Sequence, residues 1–149
     1  MDDNRLKLAA MDADDLAIIS AHLQDAVLRV GDMTWRPAER RFVAVINRFD
    51  WEHGIARGKG PWRRRRAGLS FDRVMSAQIR RLRSDSADAV LSLLAIEFEP
   101  AEAPGGAITL QFAGGGGVRL DVECIEARLT DLGPAWETPS RPEHDLEGG

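Results

Sequence analysis

At 149 residues, 44% hydrophobic and 30% charged, the chain is long enough to bury one hydrophobic core and too apolar to stay disordered, which points to a single domain. Its net charge of −4 hides an uneven spread: residues 36–83 hold 14 of the 20 Lys and Arg but only four of the 24 acids, so this stretch sums to +10 and the remainder to −14. No stretch reaches the roughly 20 apolar residues of a membrane span, the first ten residues lack a leader's basic start and apolar run, and the lone Cys124 forms neither an internal disulfide nor a cysteine zinc site; a cytoplasmic protein without membrane contact is expected.

Residues before Met11 read as a mobile N-terminus. Asp12 is placed to cap a helix, with Asp15 in the capping-box position, and Leu16, Ile19, Leu23 and Ala26 recur at helical spacing, which predicts a helix over 12–26. The period then changes to two. Val27–Val30 and Met33–Arg36, separated by Gly31-Asp32, suggest a short hairpin. Arg41–Phe49 is apolar on both faces until its end, as a central strand requires.

Glycines and Pro61 make 50–62 a long loop. Alternation returns over 63–72, with a bulge or turn at Asp72-Arg73, and 74–82 is open between strand and helix. Ser84-Asp85-Ser86 marks a turn, and Val90–Phe98 reads as a core strand. Ile108–Phe112 and Val118–Cys124 flank four glycines as a β-hairpin. Ile125, Ala127 and Leu129 take the opposite parity, either through a bulge near Cys124 or because 123–132 is helical.

One helix followed by six or seven strands in neighbouring hairpins predicts an α+β fold, with the N-terminal helix packed on a mostly antiparallel curled sheet or part-open barrel. Residues 1–136 form the expected globular domain, and 137–149 a flexible acidic, proline-containing tail.

Asp12–Gly31 (DADDLAIISAHLQDAVLRVG), Arg40–Trp51 (RRFVAVINRFDW), Val90–Pro100 (VLSLLAIEFEP) and Gly117–Trp136 (GVRLDVECIEARLTDLGPAW) together resemble a family of small proteobacterial proteins known only as a domain of unknown function. The resemblance spans most of the chain. It implies a single-domain cytoplasmic protein and carries over no activity, cofactor or catalytic residue.

The most distinctive local feature is the run Arg57, Gly58, Lys59, Gly60, Pro61, Trp62, Arg63, Arg64, Arg65, Arg66. Arginines neutralise phosphates and a tryptophan offers a stacking face, so Arg57, Lys59, Trp62 and Arg63–Arg66 form a candidate polyanion site that Trp35 and Trp51 could extend. The alternative is that Trp62 packs at the core's edge while the arginines reach solvent or pair with Glu97, Glu99, Asp121 and Glu123. In an extended run, at most half of them face one ligand.

Gly114–Gly117 lack the Lys-Ser/Thr of a phosphate loop and read as a hairpin turn. Cys124 shares parity with Val118, Leu120 and Val122 and is expected to point inward as a small hydrophobe. His22, three residues before Asp25, is the sole candidate general base, against a plain helix-surface contact. The histidines lack metal-ligand spacing, and no nucleophile elbow is present. No cofactor, metal or catalytic set is therefore expected.

Three functions fit these residues. The first is a non-enzymatic interaction module that binds a protein partner or itself through opposed basic and acidic surfaces. The second is nucleic-acid or polyanion binding through 57–66; the third is an enzyme with dispersed residues. The first is the expectation.

Overall fold

The structure, a computed structural model, describes residues 5–50, 62–82, 87–134 and 136–138. The loop expected beyond Asp50 and the turn at 84–86 lie outside the described residues.

Asp12 caps the only helix among the described residues, α1 (Ala13–His22): its Oδ1 accepts from the Asp15 N–H at 2.8 Å. Replacing Asp12 by alanine should cost about 1 kcal/mol, read as a lower urea midpoint with an unchanged slope. The helix is shorter than the expected 12–26. Asp25 turns left-handed (φ 66°) and gives its N–H to the Leu93 carbonyl at 2.8 Å, so the chain leaves the helix axis before Ala26. Leu16, Ile19 and Leu23 are buried in the core, and the Ser20 hydroxyl accepts from the Ile96 N–H at 2.9 Å, which ties the helix to a strand edge.

Eleven strands are present among the described residues, more than the six or seven expected. They are β1 (Lys7–Ala10), β2 (Val27–Arg29), β3 (Met33–Arg36), β4 (Arg41–Phe49), β5 (Trp62–Phe71), β6 (Val74–Arg80), β7 (Val90–Pro100), β8 (Gly106–Phe112), β9 (Gly117–Val122), β10 (Ala127–Asp131) and β11 (Trp136–Thr138). They form one antiparallel sheet in the order β1-β10-β5-β4-β2-β7-β8-β9-β6, with β3 added to β4 and β11 to β5. Strands β1 and β6 end the series, and the sheet does not close into a barrel.

The N-terminal segment is thus partly a strand, because Lys7–Ala10 find partners in Ala127–Thr130. The expected hairpin of β2 with β3 is not formed. Both lie along the same edge of β4, Val27 opposite Asn47 and Met33 opposite Ala44, separated by a 3₁₀ turn over Val30–Asp32. Residues 74–80 are a strand paired with β9, and β9 ends at Val122, after which the chain bends before β10. Cys124 falls in that bend and is half-buried, while Ile125 takes the core position. The β8–β9 hairpin turns where Gly114 (φ 93°) and Gly115 (φ 97°) supply the positive angles that other residues resist.

Candidate functional site

Alternation splits the basic run of β5 between the two faces of the sheet. Arg65 shares the inward parity of Ala67, Leu69 and Phe71, all buried, whereas Arg64 and Arg66 share the outward parity of Gly68 and Ser70. On the neighbouring strands Arg48 follows Phe42, Ala44 and Ile46 inward, and Asp131 follows Ala127 and Leu129. The register brings these charges to one end of the core: Arg48 lies opposite Arg65, and Asp131 opposite Ala67.

There the guanidinium of Arg48 grips Asp131 with two bonds, Nε to Oδ1 and Nη2 to Oδ2, both 2.9 Å. The side chains are 1% and 0% exposed. Asp131 Oδ2 also accepts the Leu6 N–H at 2.7 Å. Arg65 Nε lies 3.4 Å from Asp50 Oδ2 and 3.9 Å from Asp131 Oδ2, and Arg63 Nε lies 4.0 Å from Asp50 Oδ2. Charges taken this far from water persist only when paired and hydrogen-bonded. These contacts supply such pairing and serve as a clamp joining β1, β4, β5 and β10.

The outer face of the same strands is basic. Lys7, Arg36, Arg41, Arg66 and Arg128 are exposed there. Asp72 takes Arg41 Nε at 2.7 Å and Arg128 Nη1 at 3.6 Å. That hydrogen bond and the carboxylate's charge hold the Arg41 pKa above its ordinary value. Arg64 is half-buried, gives Nη1 to the Asn47 carbonyl at 3.2 Å and lies over the Phe49 ring, 5.9 Å from its centroid. Lost hydration pushes its pKa below the usual arginine value, and attraction to Asp25 offsets this only in part. Lys7, Arg29, Arg64 and Arg66 form no ion pair among the described residues.

Apolar groups are interleaved with these cations. Trp136, 42% exposed, stands opposite Arg64, and Leu132, 51% exposed, lies over Gly68. The outer face of β7, β8 and β9 has the opposite character. A groove of about 790 Å³ there is lined by Glu99, Glu102, Asp121 and Glu123 beside Arg119 and Met75.

The sequence candidates therefore separate. Arg57 and Lys59 lie outside the described residues, and Trp62 begins β5. Arg64 and Arg66 share the outer face, while Arg63 and Arg65 engage Asp50 and Asp131 rather than Glu97, Glu99, Asp121 or Glu123. Trp35, opposite Phe42, packs against the core and cannot extend the outer face; Trp51 lies outside the described residues. His22 is half-buried in the last turn of α1. Arg48 and Asp131 were not singled out from the sequence. The available signal was a charged residue at inward parity at the end of three separate strands.

Among the described residues no three His, Cys, Asp or Glu side chains group as a metal site, and no helix is long and apolar enough to cross a membrane. No curated protein and no solved structure matches the chain. Residues 6–144, all but the two ends, match the family described as protein of unknown function (DUF2948), and the chain belongs to that family.

Proposed function

We propose that this protein is a non-enzymatic docking module whose basic outer face over β1, β10, β5 and β4 receives an acidic segment of a protein partner. The observation that carries the reading is the division of the arginines. The inward ones are neutralised within the core, while Lys7 and Arg66 remain exposed on the outer face without an ion pair among the described residues. Unpaired charges of one sign beside exposed apolar groups steer and seat a complementary surface. The groove rich in Glu99, Glu102 and Asp121 supplies an acidic counterpart on the other half of the sheet. A protein segment is favoured over nucleic acid because, among the described residues, Phe49 is buried and Trp136 is the exposed ring placed beside the cations, short of the several rings a stacking platform uses.

Trp136 makes the face testable by intrinsic fluorescence. Titration with poly-L-glutamate should give a saturable change that weakens with salt. In the Arg66→Glu/Arg128→Glu variant affinity should fall by roughly tenfold or more, about 1.4 kcal/mol. A response to single-stranded DNA or RNA without one to poly-L-glutamate would transfer the face to nucleic acid. Silence toward both at low salt would remove it as a docking surface.

A further inference from the structure

Between β2 and β4, at the border of the basic face, a cavity of about 310 Å³ opens beside the 3₁₀ turn. Its apolar wall comes from Val27, Val45 and Val90, and its polar groups are Arg29, Asp32, Asn47 and Arg66. The register fixes part of this arrangement, with Asn47 opposite Val27 on one side and Arg66 on the other.

Two features make this more than a crevice. Arg29, Asp32 and Arg66 line one small space, yet none forms an ion pair among the described residues. The side-chain oxygen of Asn47 is buried and lacks a hydrogen-bond donor among the described residues. An orphaned acceptor of this kind carries a desolvation cost that a bound donor relieves, and Asn47 is among the residues that line the cavity. The unmet demands are an anion for a guanidinium, a cationic donor for Asp32 and Asn47, and an apolar group for the three valines.

We propose that this cavity binds a free α-amino acid with an apolar side chain. Arg66, beside Asn47, and Arg29 at the mouth receive the carboxylate. Asp32 and the Asn47 oxygen receive the ammonium, and the side chain lies on Val27, Val45 and Val90. Small-ligand sites combine a mostly apolar wall with a few converging polar groups in this way, and the volume lies at the lower end of their range. The cavity shares Arg66 with the docking face but takes a different ligand, and Arg29 and Asp32, which the docking test leaves intact, tell the two apart.

Calorimetric titration of the full chain with L-leucine tests it, with thermal unfolding as a second readout because a ligand that binds only the folded state raises Tm with its concentration. Saturable binding is expected, at least about tenfold weaker for L-leucinamide, which lacks the carboxylate, and for 4-methylpentanoate, which lacks the ammonium. Arg29→Ala and Asp32→Asn, both at the mouth and away from the core, should each weaken it severalfold while leaving the melting temperature of the unliganded chain nearly unchanged. Binding of N-acetyl-L-leucine as tight as that of leucine would overturn the assignment, because the acetyl group removes the ammonium. So would absence of heat and of any Tm rise up to about 10 mM leucine.

Discussion

Replacing Asp131 by alanine should destabilise the protein by about 3–5 kcal/mol, because it leaves a buried guanidinium without its counter-charge. Arg48 gives two bonds to Asp131 that the change removes, and the Leu6 N–H loses its acceptor in the same step. A domain of this size has ~5–15 kcal/mol in total, so the change removes a large share. In thermal unfolding it should appear as a fall of roughly 6–20 °C, at ~2–4 °C per kcal/mol. The combined change Arg48→Met/Asp131→Leu separates cause from consequence. Removing both charges together should cost less than removing one, since an apolar pair of similar size needs no partner. A double variant as unstable as Asp131→Ala would mean that the carboxylate acts mainly by holding β1 through Leu6.

Phe71→Ala should cost about 3–5 kcal/mol through a different mechanism, the cavity left in a core that cannot close around it. Phe71 is 0% exposed and lies where β5 is paired on both edges, opposite Phe42 on one side and Ala127 on the other. Hydrogen bonds to β4 and β10 fix the backbone, which limits collapse into the space vacated by the ring. Urea unfolding should show a lower midpoint at an unchanged slope. Phe49→Ala offers the contrast. That ring is also buried, but it lies outside the core cluster and under Arg64, so its loss should act on the outer face before it acts on global stability.

Elements whose signals are local were legible in the sequence. Asp12 caps the helix it was expected to cap, Arg41–Phe49 is a central strand, and the four glycines join two strands. The inference that alternate arginines must part company also holds, since Arg64 and Arg66 look outward while Arg65 is buried. What escaped was pairing at a distance. Nothing near Lys7–Ala10 announces that residues 127–130 will accept it as a strand, and nothing near Val27 announces Asn47 and Ser92 as neighbours of one three-residue strand. Proximity along the chain favoured a hairpin instead. The arginines' counter-charges were missed for the same reason, because Asp131 is brought to Arg48 and Arg65 only by the pairing of β10 with β5. Strand parity alone would have marked Arg48, Arg65 and Asp131 as inward charges in need of one another.

The bond from Leu6 to Asp131 spans 125 positions of the chain, and that span also has a meaning in time. A ribosome adding about 5–20 residues per second needs roughly 6–25 s to travel from one to the other. Until then β1 has no place to go, and β5 presents one open edge with Arg48 and Arg65 still hydrated. Folding dominated by such distant pairings is slow in any case. The nascent chain is thus most vulnerable to mispairing with a neighbour in the interval before its tenth strand emerges.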